Sequence, residues 1–266
     1  MRIAIIGAGN LGLSIAKGIL NSKGKNHLYL TKRNPTEIYN FEKYGNVIIT
    51  SDNREAVKKS DILIFAVQPS QLEAILVDIK DILKAKHVII STITGFNIEK
   101  IESIIGSNYH IIRSMPNTAI SVGKSMTCIC SNEKGQSKIN LAKAIFNRMG
   151  HSMEIPEQQM QAATVICASG IAFWMRLMRA TTQGAIQLGF DAKEAQELAM
   201  HTCNGAAGLL IASGNHPEEE IDRVTTPKGC TIQGLNEMEH QGLSSSLIQG
   251  IVASFEKISR IKEGQL

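Results

Sequence analysis

A glycine-rich segment near the start of the chain constrains its fold more than any other feature. The run Gly7-Ala8-Gly9-Asn10-Leu11-Gly12 follows a short apolar stretch, Arg2–Ile6, that predicts a buried strand, and it opens a helical pattern over Asn10–Asn21. In this context Gly7 permits a tight turn, Gly9 lets the backbone approach a pyrophosphate, and Gly12 lets helix and strand pack closely. The segment predicts a dinucleotide-binding βα unit; the alternative is a plain strand–turn–helix.

Short apolar runs and helical patterns then alternate over the first part of the chain. Such alternation predicts an α/β fold, a doubly wound parallel sheet of the Rossmann type. The further strand candidates are Leu28–Thr31, Val47–Thr50, Asp61–Val67, His87–Thr92, Tyr109–Ser114 and Ser125–Ile129, and the helix candidates are Asn53–Lys59 and Gln71–Leu83.

The pattern changes after about Ser152, since no convincing strand follows Glu154. We therefore predict two domains, a dinucleotide-binding domain over residues 1–152 and an all-α domain over residues 153–266. The helices predicted in the second domain are Glu157–Leu188 with a break near Gly170, Ala192–Ser213, Glu218–Arg223, Thr231–His240 and Ser245–Ile261.

Composition narrows the class of protein. With 266 residues, 43% hydrophobic, the chain can bury a substantial core. A net charge of +4 and 5% aromatic residues argue against a nucleic-acid partner. The five scattered cysteines and an N-terminus without a secretory pattern predict a cytoplasmic protein. The uncharged stretch Gln158–Met175 contains several polar residues, which favours a buried helix over a membrane span.

The residues that follow the predicted strands indicate the cofactor. Lys32, Arg33 and Asn34 follow the second strand, where an NAD site usually carries an acidic residue. Lys32 and Arg33 can bind a 2′-phosphate, which favours NADPH over NADH; the alternative is a solvated basic loop. Gln68-Pro69, Thr94-Gly95 and Asn117 follow later strands at the same expected edge and are further cofactor-binding candidates, although such residues are also common in turns.

Two segments of the helical domain carry further site candidates. Ser169 and Gly170 interrupt an apolar helix, and a glycine costs about 1 kcal/mol there, so either tight helix packing or ligand approach is expected. The loop Val224–Thr231 combines hydroxyl groups with Pro and Gly ahead of a helix, where backbone N–H groups can hold a small carboxylate. From its chemistry alone, Thr231 is more readily interpreted as a plain N-cap. The histidines have no metal-binding spacing, so no metal is predicted.

Together these features resemble the pyrroline-5-carboxylate reductase family over nearly the whole chain. The segments that carry the resemblance are Gly7–Gly12, Ala66-Val67-Gln68-Pro69, Arg113–Thr118, Ser169-Gly170-Ile171-Ala172 and Val224-Thr225-Thr226-Pro227-Lys228-Gly229-Cys230-Thr231. Three positions depart from the family pattern: Gln68 stands for Lys, Ile171 for Pro and Lys228 for Gly.

The resemblance implies that NAD(P)H reduces the cyclic imine 1-pyrroline-5-carboxylate to L-proline. It also implies a helical dimerisation and substrate-binding domain, a homodimer or a pentamer of dimers, and a cofactor contact at Val67. By the same resemblance Thr226, Gly229, Cys230 and Thr231 bind the substrate, with Thr231 beside the imine nitrogen as the catalytic residue.

Two other functions stay open on the sequence. One is an imine reductase for a related substrate on the same architecture. The other is a regulatory paralogue that binds dinucleotide without turnover, which the departures at Gln68, Ile171 and Lys228 allow.

Overall fold

In a computed structural model, which describes residues 1–21 and 26–262, the first part of the chain forms one eight-stranded sheet. The strand order is β3-β2-β1-β4-β5-β6-β7-β8. The strands are β1 (Arg2–Ile6), β2 (His27–Thr31), β3 (Val47–Thr50), β4 (Ile62–Phe65), β5 (Val88–Ser91), β6 (His110–Met115), β7 (Ser125–Ser131) and β8 (Gly150–Glu154). All neighbouring strands are parallel except β6 and β7, which pair antiparallel.

Helices cover both faces of this sheet, which is why its strands are apolar on both sides. Along β1, Ile3 and Ile5 join one buried cluster with α1, while Ala4 and Ile6 join the other with α2 and α3. The helices of this part are α1 (Asn10–Asn21), α2 (Asn53–Lys59), α3 (Pro69–Ile79), α4 (Ile98–Ile105) and α5 (Ile139–Phe146), with a 3₁₀ helix over Pro35–Tyr44. The predicted Rossmann-type α/β fold is confirmed.

The remainder of the described chain is helical. A long helix runs over Glu157–Gln187 and includes a π-helical segment at Thr164–Ser169. Its parts and successors are α6 (Met160–Ala163), α7 (Gly170–Gln187), α8 (Ala192–Ser213), α9 (Pro217–Val224), α10 (Cys230–His240) and α11 (Leu243–Lys262). Asp191 caps α8, since its side chain accepts hydrogen bonds from the Lys193 and Glu194 N–H groups.

The chain forms two compact units, with a boundary between Ser169 and Gly170. The first contains Met1–Ser169 and the residues from Lys257 onward, and the second contains Gly170–Glu256. The first turns of the long helix belong to the sheet unit, because Met160 and Ala163 are buried in its core. The boundary at residues 152 and 153 stays a prediction.

Candidate active site

The glycine-rich turn between β1 and α1 is shaped for the close approach of a ligand. Gly7 has a φ of 98°, and a Cβ there would lie 2.7 Å from the Ala66 carbonyl oxygen. A Cβ on Gly12 would collide with the Gly7 carbonyl oxygen, because α1 passes tightly over the turn. A Cβ on Gly9 would meet nothing within 4 Å. The space above Gly9, at the N-terminus of a helix, therefore fits a pyrophosphate.

Thr31, the last residue of β2, fixes the position of this turn. Its hydroxyl accepts a hydrogen bond from the Gly7 N–H at 3.3 Å, and its carbonyl accepts one from the Ala8 N–H at 2.8 Å. Thr31 is buried and was not among the predicted site residues. The one signal for it in the sequence is a hydroxyl at the end of an apolar strand, directly before the basic residues.

The basic residues after β2 differ in how far their charges are already neutralised. Lys32 Nζ lies 2.6 Å from Glu37 Oε2, and the Asn34 side-chain amide donates to Glu37 Oε1 at 3.3 Å. The hydrogen bond from Lys32 holds the pKa of the Glu37 carboxyl below its usual value. No ion pair within residues 1–21 and 26–262 involves the exposed Arg33 guanidinium. Arg33 is therefore the freer cation at this edge.

The loop after β4 packs against the glycine turn and starts the next helix. A Cβ added to Gly7 would lie 2.5 Å from Val67 Cγ1, so the Val67 side chain lies directly beside the turn. Gln68 is the N-cap of α3 and shares a capping box with Gln71, while Pro69 is the first helical residue. The amide of Gln68 thus fulfils a local structural role in place of the lysine that the family pattern has here.

The loop after β5 borders a cavity of about 250 Å³ in the sheet unit. Thr94 and Gly95, both predicted cofactor residues, line it. The other lining residues are Asn97, Arg113, Glu157, Gln158, Gln161, Thr164 and Ile258. This lining is mostly polar, and it lies at the edge where ligands bind in doubly wound sheets.

Asn117, which follows β6, is buried and its side chain is engaged on both ends. Its Nδ2 donates to the Cys167 carbonyl at 2.8 Å, and its Oδ1 accepts from the Ala119 N–H at 3.0 Å. An amide has two N–H groups and two acceptor lone pairs, so one of each is left for a ligand. Asn117 therefore ties the end of β6 to the π-helical segment.

A partly buried ion pair crosses from β6 to the start of the long helix. Arg113 Nη1 lies 2.8 Å from Glu157 Oε1, and the Arg113 side chain is only 9% exposed. The same carboxylate oxygen accepts from the Ile98 N–H at 2.8 Å. Arg113 and Glu157 both line the cavity, and neither was predicted as a site residue from its chemistry. No local sequence signal links two charges so far apart in the chain.

Ser169 and Gly170 lie where the π-helical segment passes into α7. Gly170 is buried, and Ser169 is partly exposed. A π-helical turn inside an α-helix often marks a functional position. The sequence predicts an interruption at Gly170, and the irregularity lies in the six residues before it.

The loop before α10 presents the N-terminus of an 11-residue helix. The Gly229 N–H donates to the Thr226 carbonyl at 2.9 Å, which leaves the N–H groups of Cys230 and Thr231 as first-turn donors. A Cβ on Gly229 would collide with the Thr226 hydroxyl. Lys228 has a left-handed φ of 60°, which suits the glycine of the family pattern better.

A second cavity, of about 580 Å³, adjoins this loop in the helical unit. Its lining residues are Lys228, Gly229, Ile232, Gln233, Asn236, Glu237 and His240. Apart from Ser169 and Gly170, the predicted site residues are thus gathered into two groups. The dinucleotide candidates follow β1, β2, β4, β5 and β6 at the carboxyl edge of the sheet, and Thr226–Thr231 form the loop at α10.

Two family models match the chain. Residues 2–95 match the model described as NADP oxidoreductase coenzyme F420-dependent, and residues 157–261 match the model described as pyrroline-5-carboxylate reductase dimerisation.

Individual proteins are similar over most of the chain. Pyrroline-5-carboxylate reductase 2 of Dictyostelium discoideum is 42% identical over 275 residues, covering 97% of this chain and 92% of its own length. Pyrroline-5-carboxylate reductase 1 of the same organism is 44% identical over 273 residues, but the chain spans only 49% of its length. The crystal structure of Plasmodium falciparum pyrroline carboxylate reductase with NADP bound superposes with a TM-score of 0.88 at 25% identity, covering 98% of both chains.

Proposed function

The chain belongs to the pyrroline-5-carboxylate reductase family, and on this premise we propose that it reduces 1-pyrroline-5-carboxylate to L-proline with NAD(P)H. The observation that carries the proposal is the loop Thr226–Thr231. It places two backbone N–H donors and a threonine hydroxyl at one helix N-terminus, in a chain that also has a dinucleotide edge.

The carboxyl edge of the sheet fits the cofactor. The open space above Gly9 accepts a pyrophosphate at the N-terminus of α1. Arg33, which forms no ion pair with the described residues, follows β2 and can bind a 2′-phosphate. Val67, Gln68 and Pro69 border the same turn, and Thr94, Gly95 and Asn117 extend the edge along β5 and β6. When bound, the dihydronicotinamide supplies the hydride that this reaction needs.

The α10 loop holds the substrate through its carboxylate. The N–H groups of Cys230 and Thr231 donate to it, and the positive end of the helix dipole favours its negative charge. Gly229 lets the turn close over Thr226, whose hydroxyl lies against the same turn. The partly exposed Ser169, at the end of the π-helical segment, offers a small side chain that a substrate ring can approach, and the buried Gly170 follows it at the start of α7.

Thr231 acts on the imine nitrogen. Its hydroxyl hydrogen-bonds to the nitrogen and orients the C=N carbon for hydride attack. A protonated imine is already a good electrophile, so no strong general acid is required. Positioning of this kind contributes up to about 7–11 kcal/mol in ideal cases.

A direct assay tests the function. We expect purified protein to oxidise NADPH in the presence of 1-pyrroline-5-carboxylate, and to prefer NADPH to NADH when both are run in parallel. A folded protein that binds NADPH but turns over no cyclic imine would overturn the proposal in favour of a regulatory paralogue. Turnover of another cyclic imine alone would assign a different imine reductase.

Thr231 variants test the role of the hydroxyl. Thr231→Val removes the hydroxyl at nearly constant volume, and we expect kcat to fall on the order of a hundredfold, as for other lost transition-state contacts. Thr231→Ser should recover most of the rate. Thr225→Val is the matched control, since the Thr225 hydroxyl donates to the Asp222 carbonyl within the same loop region. Full kcat in Thr231→Val would remove the role given to Thr231.

The assembly and location complete the proposal. Oligomerisation fits the dimerisation model matched by residues 157–261, and we propose a homodimer, on which a pentamer of dimers can be built.

The helix Glu157–Gln187 is long and apolar enough to cross a membrane. We assign it to protein packing, because it carries Arg176 and Arg179 and begins in the core of the sheet unit. Five free thiols support a reducing, cytoplasmic location. We propose no nucleic-acid or membrane partner, since a net charge of +4 and 5% aromatic residues do not favour nucleic acid and the apolar helix is assigned to packing.

A further inference from the structure

Two cysteines from different elements lie side by side in the sheet unit. Cys128 Sγ on β7 is 3.8 Å from Cys167 Sγ in the π-helical segment. Cys128 is 2% exposed, while Cys167 is partly exposed. A disulfide needs the sulfur atoms at about 2.05 Å, so a movement of less than about 2 Å would join them. The two cysteines are far apart in the sequence, so their spacing does not predict the contact.

The two thiols are unequal in reactivity. The hydrogen bond from Cys128 holds the pKa of the Cys167 thiol below its ordinary value, despite partial burial. The same hydrogen bond, together with burial, raises the pKa of Cys128. The thiolate is the reactive form, and of the two residues only Cys167 is partly exposed to solvent. Cys167 is therefore the attacking thiol, and Cys128 is placed to resolve the product.

Cys167 is also connected to the candidate active site. Its carbonyl accepts the hydrogen bond from Asn117 Nδ2, and Cys128 lies opposite Met115, the last residue of β6. Drawing the two sulfurs together would shift the carbonyl that positions Asn117. Displacements of about 1 Å at a catalytic site lower rates on the order of a hundredfold.

We propose that Cys128 and Cys167 form a reversible oxidation site, at which a peroxide converts the two thiols to a disulfide and so lowers the reductase activity. The Cys167 sulfur attacks one peroxide oxygen, an S–O bond forms and the O–O bond breaks, which releases water. The Cys128 sulfur then attacks the Cys167 sulfur, an S–S bond replaces the S–O bond, and the Cys128 proton leaves with the second water. The thiols together lose two electrons, and the peroxide gains them.

Peptide mapping tests the chemistry without reference to activity. The reduced protein is treated with hydrogen peroxide, the remaining thiols are alkylated, and proteolytic peptides are analysed by mass spectrometry. We expect a disulfide-linked peptide pair containing Cys128 and Cys167, which disappears after dithiothreitol. Cys130→Ala is the matched control: Cys130 lies on the same strand, and burial raises the pKa of its thiol to about 12. Absence of the 128–167 linked pair in the oxidised wild type overturns the proposal.

The effect on activity rests on the proposed function and is measured separately. We expect NADPH oxidation by the peroxide-treated protein to fall on the order of tenfold or more and to recover with dithiothreitol. Cys167→Ser should keep its rate under the same treatment, and Cys130→Ala should lose and recover it as the wild type does. If the linked peptide pair forms while the protein keeps full activity, the regulatory claim is overturned. It is also overturned if Cys167→Ser loses as much activity as the wild type, because the loss would then come from another thiol, such as that of the exposed Cys230.

Discussion

Single glycines of the β1–α1 turn serve two different purposes, and substitution can separate them. Gly12→Ala places a Cβ against the Gly7 carbonyl oxygen, so we expect unfolding free energy to fall by about 1–3 kcal/mol. Gly9→Ala meets only open space in the protein, so stability should be unchanged while NADPH affinity falls roughly tenfold or more, because the methyl group occupies the approach of the pyrophosphate.

Urea unfolding and NADPH titration measure the two effects for each variant. Gly184→Ala is a control for unfilled space, since a Cβ there also meets nothing within 4 Å and its φ is not left-handed, so NADPH affinity should be unchanged. Unaltered NADPH affinity in Gly9→Ala would show that the pyrophosphate does not pass over this residue.

Arg33 rather than Lys32 should decide between the two nicotinamide cofactors. The Lys32 charge is engaged by Glu37, whereas Arg33 has no such partner among the described residues. We expect Arg33→Ala to raise KM for NADPH on the order of tenfold, the loss typical of a charged contact, and to leave KM for NADH unchanged. Arg148→Ala, at an exposed arginine elsewhere in the unit, should change neither value. A parallel rise of both KM values in Arg33→Ala would contradict this assignment.

The residues that could be predicted are those whose local sequence carries the signal. The glycine turn and the basic segment after β2 are contiguous motifs, and they lie where the sequence places them. Glu157 and Cys167 act through partners 44 and 39 residues away, so no local pattern can reveal them. Thr31 bonds to a residue 24 positions away, and only its hydroxyl at the end of an apolar strand points to it. The hydrogen bond from the Asn117 side-chain amide to the Cys167 carbonyl likewise has no local signal in the sequence.

At the scale of elements, one charge cluster joins the amino ends of three neighbouring strands. Asp61, just before β4, accepts hydrogen bonds from Arg2 at the start of β1 at 2.8 and 2.9 Å, and from Lys86 before β5 at 2.8 Å. These contacts, those of Arg2 first, lower the pKa of Asp61 to about 2. A lowered pKa means that the stabilisation is complete above the unfolded value near 4 and is lost as the pH falls through about 2.

Asp61→Asn should therefore be less stable than wild type at pH 7, and the difference should narrow as the pH falls from 4 towards 2. Asp61 is 38% exposed, so solvent screening limits the effect to about 1 kcal/mol at most. Denaturant unfolding at several pH values measures it. Asp222→Asn changes the net charge equally without touching these strands. A difference that stays constant from pH 7 to pH 2.5 would show that ionisation of Asp61 is not its source.

Elements with strong periodicity agree with their predictions, and those formed by tertiary contacts do not. The strand Arg2–Ile6 and the helix Asn10–Asn21 match the structure, because each has a continuous apolar pattern. Strand β8, Gly150–Glu154, has no apolar run and exists because it pairs with β7. The sequence prediction also lacks helices α4 and α5, which have eight residues each. Their length is not the reason, since the seven-residue α2 is predicted with the bounds that the structure has.

On the scale of the whole molecule, the sequence predicts a sheet part and a helical part but not what covers the helices. The helical unit leaves large apolar side chains in solvent, with Ile211 85% and Leu188 84% exposed. Further examples in this unit are Trp174, Met175, Leu209 and Ile248. Periodicity indicates that such a face is apolar, but the sequence pattern of one chain does not show which partner covers it. The match of residues 157–261 to a dimerisation model fits an oligomer, and we propose that a second copy of the chain covers this face.

We therefore predict that the assembly depends on apolar contacts of the helical unit. Ile211→Asp would place a charge in the interface, and an unpaired buried charge costs several kcal/mol. We therefore expect sedimentation to show a smaller species than for the wild type, and reductase activity to fall as well. Val122→Asp is the matched control: Val122 is 71% exposed in the sheet unit, and the same change there should leave size and activity unaltered. The thermal midpoint of wild type should also rise with protein concentration, since association stabilises the folded state by mass action. Wild-type size in Ile211→Asp, with a midpoint independent of concentration, would show that the apolar face is not the interface.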